Sequence, residues 1–143
     1  MPHKCKPGLN VLSMDGLLRQ KEFHSFNLNH SSGCEKLAQY MGKLRAGRVL
    51  MMAVMCDSHA GITVTLQRLM KEGLGCKQFE DLKAGTPWCA ICVLGCRRAL
   101  AEEYGPRGST VQCEVSYDPS YNYAGGSRRK PGRPRSPPTD PWC

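Results

Sequence analysis

Apolar residues in this chain fall into three kinds of pattern, and each predicts a different element. Val49 to Met55 (VLMMAVM) is an unbroken apolar run. It is too short to span a membrane and too continuous for a strand with one wet face. It predicts a strand over 48–55 buried on both faces, as in the middle of a mixed or parallel sheet covered by helices. Trp88 to Leu94 (WCAICVL), after the break at Thr86-Pro87, predicts a second strand of the same kind. Helical spacing brackets the first run. Leu37, Tyr40, Met41 and Leu44 fall at i, i+3, i+4 and i+7 and form one apolar face. Ser32 with Glu35 fits a capping box at the start of that helix, and Gly47 suits its C-terminal end. A second helix is predicted over 62–73, with Leu66, Leu69 and Met70 facing inward, followed by a short helical turn over 76–82.

Shorter segments make up the rest. Leu9 to Met14 (LNVLSM) predicts a first strand, Asp15-Gly16 a tight hairpin turn, and Leu17 to Phe23 the returning strand, with a polar loop over 24–31. Arg97 to Tyr104 predicts a short helix stopped by Gly105-Pro106. Thr110 to Tyr117 alternates and predicts an edge strand. From Asp118 the chain is rich in Tyr, Gly, Pro and Arg, which predicts a disordered tail. The expected fold is α/β: a single compact domain over 8–117, a small mixed β-sheet with flanking helices, and a disordered basic C-terminal tail over 118–143.

Composition refines this picture. A chain of 143 residues, 41% apolar, suits one domain with a modest core. Aromatics make up only 7%, so aliphatic side chains and methionine must fill that core. No apolar window is long enough for a transmembrane helix, and Met1-Pro2-His3-Lys4-Cys5 carries no apolar signal region. The expectation is a cytosolic protein or a fragment of a longer chain. The net charge is +8, yet residues 124–143 hold five basic residues against one acid, so half of that charge sits in the tail.

Nine cysteines (Cys5, Cys34, Cys56, Cys76, Cys89, Cys92, Cys96, Cys113 and Cys143) lean towards an oxidising compartment, although thiols also serve as small core residues. Asn29-His30-Ser31 is a sequon, a glycosylation site if the chain is secreted. Trp88-Cys89-Ala90-Ile91-Cys92 spells a thioredoxin-type redox motif. That chemistry requires the first thiol at a helix N-terminus. On a strand, Cys89 and Cys92 fall on opposite faces and cannot easily join. Adding Cys96, with Cys76 or Cys113 as a fourth ligand, composes a zinc set, but structural zinc prefers ligand pairs on turns. Arg128-Arg129-Lys130-Pro131-Gly132-Arg133-Pro134-Arg135 resembles an AT-hook, with Arg133 and Arg135 placed for an A·T-rich minor groove; a basic Pro-rich linker is the commoner reading. His3, His24, His30 and His59 show no metal spacing, and Asp57-Ser58-His59 offers triad residue types without triad geometry. No phosphate loop and no acid/base pair stand out. The expectation is a protein that is not an enzyme, with no cofactor and no metal.

The succession GLNVLSMDG, KEFHSF, a capped helix, AGRVLMMAV, a polar turn, a helix, LGCKQFEDL and PWCAICVLG resembles the ILEI/PANDER domain. That family includes the interleukin-like epithelial–mesenchymal transition inducer, the pancreatic-derived factor and the stem domain of protein O-mannose β-1,2-N-acetylglucosaminyltransferase. It also includes domains of cell-surface hyaluronan-degrading proteins. The likeness covers residues 8–95 and more loosely reaches 117, anchored on Gly8-Leu9-Asn10-Val11, Gly47-Arg48-Val49-Leu50, Leu74-Gly75 and Trp88. Two departures fall where the stem domain holds a sugar. The acidic turn is Met55-Cys56-Asp57-Ser58, with Cys56 replacing one acid, and the family's Phe-Arg-Asp segment is Ala84-Gly85-Thr86. Asp57 and Trp88 are the positions that the resemblance carries over to carbohydrate binding.

The resemblance implies a non-enzymatic binding module in the secretory lumen or outside the cell. It would act as a cytokine-like ligand or as an accessory domain of a glycan-processing protein, with a protein receptor or a glycan as partner. The alternatives are a carbohydrate-binding stem-type domain through Asp57 and Trp88, a DNA-associated protein through Arg133 and Arg135, and, third, a thiol oxidoreductase through Cys89 and Cys92.

Overall fold

The computed structural model of the chain describes residues 8–54, 62–82 and 85–118. Five strands form one sheet: β1 (Leu9–Met14), β2 (Glu22–Phe26), β3 (Val49–Val54), β4 (Trp88–Val93) and β5 (Ala101–Tyr104). Their order is β2-β1-β3-β4-β5, and each of the four pairings is antiparallel. Helices α1 (Ser31–Lys43) and α2 (Val64–Arg68) accompany the sheet, α2 continuing into a π-helical turn over Leu69–Gly73. The domain is thus the small α/β unit that the apolar pattern predicts. The sheet is antiparallel at each of these pairings rather than mixed as expected, for a topological reason. Both β2 and β3 run opposite to β1 and lie on either side of it, so α1 connects two strands of like direction that never touch.

The returning strand begins at Glu22 rather than Leu17. A tight turn at Asp15-Gly16 gives way to a longer loop organised by one carboxylate. Asp15 Oδ1 accepts from the backbone N–H of Leu17 at 2.9 Å and of Arg19 at 2.8 Å. Those bonds, the Arg19 one foremost, hold the Asp15 carboxyl below its ordinary value of 3.8. Leu17 is 54% exposed, so the Leu-Leu pair belongs to the loop, and Glu22 pairs with Ser13.

Helix α1 starts at Ser31, with His30 as its N-cap and no side-chain capping bond, so the expected capping box at Ser32 does not form. The start is set instead by Leu28, fully buried under the helix, and by an Asx turn in which Asn27 Oδ1 accepts from Asn29 N at 2.8 Å. Gly33 is required there: a Cβ would lie 1.9 Å from the Asn27 carbonyl oxygen. Cys34, Leu37 and Met41 form the buried stripe, with Tyr40 and Leu44 at its margin. In α2, Thr63 Oγ1 caps Leu66 N at 3.1 Å, and Leu66 and Met70 point inward as their spacing predicts. The turn over 76–82 contains a short 3₁₀ segment at Phe79–Asp81.

Two segments depart from expectation beyond β4. Ala101–Tyr104 is a strand, not part of a helix over 97–104. The chain reverses through Gly95 at φ 93° and Arg97 at φ 60°, and the open edge of β4 then captures AEEY as a hairpin partner. Residues 110–117 join no strand ladder. Their alternation is nevertheless real: Val111, Cys113, Val115 and Tyr117 are half-buried while their neighbours are exposed. The segment lies as an extended strap across the sheet, not along its edge.

The sheet therefore has two unlike faces. Leu9, Val11, Leu50, Met52, Val54, Trp88, Ala90 and Cys92 point towards the helices and form the main core with Leu37, Met41, Leu66, Met70 and Phe79. Met14, Val49, Ile91 and Val93 point the other way, where Cys113, Val115 and Tyr117 of the strap cover them. Cover on that second face is partial, and Met51 in the middle of β3 is 41% exposed. The expectation that β3 is buried on both faces holds at Val49 and fails at Met51.

Candidate functional site

Strand β4 carries the chemistry-bearing residues that the sequence singles out, and its alternation separates them. Cys92 faces the helix-side core, with its sulfur 3.3 Å from that of Cys76, which follows α2 and its π-turn. Cys89 faces the second sheet surface, with its sulfur 2.8 Å from that of Cys113 in the strap. Cys113 Sγ also lies 3.1 Å from the Cys89 carbonyl oxygen. The two cysteines of the W-C-x-x-C spelling thus have different partners on different sides of a sheet. Cys76, Cys89, Cys92 and Cys113 stand as free thiols, and Cys96 is disulfide-bonded. The Cys92 thiol beside it, together with burial, pushes the Cys76 thiol far up, and burial pushes Cys113 up. Neither is a ready thiolate. No cluster of three or more His, Cys, Asp or Glu able to hold a metal occurs among the described residues.

Trp88 opens β4 and is 1% exposed. Phe79 meets it edge-on at 5.2 Å between ring centroids. Its Nε1–H donates to Glu102 Oε2 at 2.8 Å, and the same oxygen accepts from Gln78 N at 3.0 Å. One carboxylate on β5 thereby ties together β4 and the loop that follows α2. The indole faces are enclosed, so the ring is not presented at the surface for stacking on a sugar. Asp57, the other residue carried over from the family's sugar site, lies outside the described residues, as do Ser58 and His59. Val54, the last residue of β3, is paired with Trp88, so β3 leaves the sheet at the Trp88 end.

A second polar constellation, not apparent from motif reading, sits where β1, β2 and α1 meet. Arg48 Nε donates to Ser13 Oγ at 2.7 Å, and Nη2 donates to the Gln20 carbonyl at 2.9 Å and lies 3.6 Å from Glu22 Oε2. Ser13 is fully buried. Tyr40 reaches the same corner, its ring tilted against His24 at 4.5 Å and Phe26 at 5.6 Å between centroids. Burial raises the pKa of its hydroxyl, opposed by Ser13, which does not reach hydrogen-bonding geometry with it. This constellation ties the β1–β2 loop to the start of β3. The sequence signal was Ser13, a polar residue on the inward side of an apolar strand.

Asn29 is exposed on the turn before α1, and Ser31 of its sequon is the first residue of that helix. Arg133 and Arg135 lie outside the described residues.

The family model described as Interleukin-like EMT inducer matches residues 7–96. The match takes in β1 to β4 with both helices and ends before β5 and the strap. No curated protein matches the chain.

Proposed function

The chain belongs to the interleukin-like EMT inducer family, and from that membership we propose that it is a non-enzymatic, secreted or luminal binding module acting as a cytokine-like ligand on a protein receptor. The observation that carries this reading is the family match over residues 7–96, which includes four of the five strands and both helices. Three further features support it. The redox spelling at Cys89 and Cys92 is split between two faces of a sheet, and each sulfur lies against a different cysteine, Cys113 or Cys76, on another element. The sequon asparagine, Asn29, is exposed. No helix among the described residues is long and apolar enough to cross a membrane.

An accessory role in a glycan-processing protein remains within the same family. The enclosed Trp88 ring makes direct sugar binding the weaker form of it, since sugar sites use an open aromatic face. The test is binding of the labelled full chain to cultured cells. Saturable binding that survives glycosidase treatment of the cells and is lost after protease treatment supports a protein receptor. Loss on glycosidase treatment alone replaces it with the glycan reading. Absence of saturable binding overturns the ligand proposal.

A further inference from the structure

We propose that four of the thiols close as two disulfides, Cys76–Cys92 within the helix-side core and Cys89–Cys113 on the opposite face, the second acting as a clasp that fixes the strap to the sheet. The inference rests on the reading of the chain as one that matures in an oxidising compartment.

Geometry selects the pairs. Sulfur separations of 3.3 Å and 2.8 Å leave small side-chain adjustments to reach a bond of about 2.05 Å. Four cysteines permit three connectivities. The sheet leaves one. Cys89 and Cys92 are three residues apart on a strand and point to opposite faces, which rules out bridging them to each other. Cys76 lies in the helix-side core and Cys113 on the second face, so the sheet stands between them as well. The same separation rules out Cys76–Cys89 with Cys92–Cys113, so each face holds one cysteine of β4 and one partner from outside it.

The chemistry balances with a low-molecular-weight disulfide of the glutathione class as oxidant. A protein thiolate attacks that disulfide and forms a mixed disulfide, releasing one small thiol. The second protein thiolate then attacks the protein sulfur of the mixed disulfide and releases the other. Two protein thiols are oxidised to one bridge. The small disulfide is reduced to two thiols, which take up the two protons. Both Cys76 and Cys113 are held protonated once folded, so closure belongs to folding, while the thiolates are accessible.

The Cys89–Cys113 clasp has a mechanical consequence. The strap joins no strand ladder. Tyr117 OH donates to the Gly16 carbonyl at 2.8 Å near one end, and Val115 packs between that anchor and Cys113. A bond at Cys113 fixes the strap where it crosses β4. Opening it frees the strap to lift from Val49, Ile91 and Val93, which uncovers an apolar surface. Cys113 lies beyond the family match, so this clasp belongs to the part of the chain that the family model does not describe.

The test is disulfide mapping of the full chain folded in a glutathione redox buffer, quenched with iodoacetamide and digested without reduction. Fragmentation between Ala90 and Ile91 separates Cys89 from Cys92. The expected result is Cys76 linked to Cys92 and Cys89 linked to Cys113. Pairing of any of these four with a different cysteine, or alkylation at all four positions, overturns the proposal. A second measurement addresses the clasp. Cys113→Ser should leave Cys76–Cys92 intact, make Cys89 alkylatable, and raise chymotryptic cleavage after Tyr117 roughly tenfold. Unchanged cleavage overturns the clasp. Because the buffer supplies the oxidant, this outcome is independent of secretion and of receptor binding, so either reading can fail alone.

Discussion

The two faces of the sheet are held in different ways. On the helix side, side chains from α1, α2 and the π-turn interlock with β1, β3 and β4, and most of the core is fully enclosed. Burial there is redundant, because each residue has neighbours from several elements. On the second face, among the described residues, an extended strap does much of the covering beside Cys96 and Leu100, with alternate side chains and no ladder bonds. The strap is held by individual anchors, and each anchor should be separately measurable. A face covered by helices gains stability from area; a face covered by a strap gains it from tethers.

The largest effect should come from the helix side. Trp88→Ala removes the most voluminous enclosed side chain and leaves Glu102 without its indole donor. The expected destabilisation is about 3–5 kcal/mol, read by urea unfolding of the oxidised protein. A loss under about 1 kcal/mol would break the contrast between the faces, because it would mean that the core collapses around the gap.

Tethers come next. Cys76 and Cys92 are 16 residues apart, and Cys89 and Cys113 are 24 apart. Closing loops of this size stabilises by about 3 kcal/mol in the chain-entropy account. Cys76→Ser and Cys113→Ser should therefore lose similar total stability under oxidising conditions. They should differ in where the loss is felt: Cys76→Ser should loosen the core, and Cys113→Ser should free only the strap. Equal hydrogen exchange across the whole domain in both variants would show that the faces are not independent.

Alkaline pH sharpens the same point. Cys76 and Cys113 have folded-state values raised above the ordinary 9.0, so the unfolded chain loses these protons first as pH rises. Their contribution is complete below about pH 9 and declines above it, in the reduced protein only, because disulfides do not titrate. Reduced protein should thus lose urea stability between about pH 8.5 and 10, while oxidised protein loses less over that range. The residual decline in the oxidised form should come from Cys34 and Tyr40, both raised by burial. Parallel pH profiles for the two forms would contradict the pairing.

What was legible in the residues follows from the same distinction. The stripes Leu37/Met41 and Leu66/Met70 and the runs of β3 and β4 are local patterns, and they appear where the periodicity places them. The segments that depart from their local pattern depend on distant partners. Ala101–Tyr104 has helix-forming residues, but the edge of β4 and the bond from Trp88 to Glu102 override that propensity. The strap's alternation correctly marked an inward side at Cys113, Val115 and Tyr117, yet nothing local says that the side rests on a sheet face rather than pairing at an edge. At the candidate site, the opposition of Cys89 and Cys92 could be read from strand geometry. Their partners could not, because they lie on other elements. Trp88 stood out as a landmark, but its enclosure by Phe79 and Glu102 is a tertiary fact.

A smaller effect tests the far anchor of the strap. Tyr117→Phe keeps the ring and removes the hydroxyl that donates to Gly16 across the sheet. The expected cost is about 1 kcal/mol, and it should be larger in Cys113→Ser, where the clasp no longer shares the work. Additive losses in the double variant would mean that the two anchors act separately.

The smallest effect provides the internal control. Met51 and Met52 are adjacent in β3 and chemically identical, but Met51 is 41% exposed on the second face and Met52 is 3% exposed on the helix face. Met52 is paired with Val11 and Ala90, and its side chain is part of the enclosed core. Truncating it to Ala should cost about 2–5 kcal/mol by lost burial and a cavity. Truncating Met51 should cost under about 1 kcal/mol, because much of that side chain is already in water and no cavity forms. Strand propensity changes by the same amount in both variants, so the difference isolates the face. A large loss at Met51 would mean that the second face is buried in the folded protein in solution, covered by something beyond the strap.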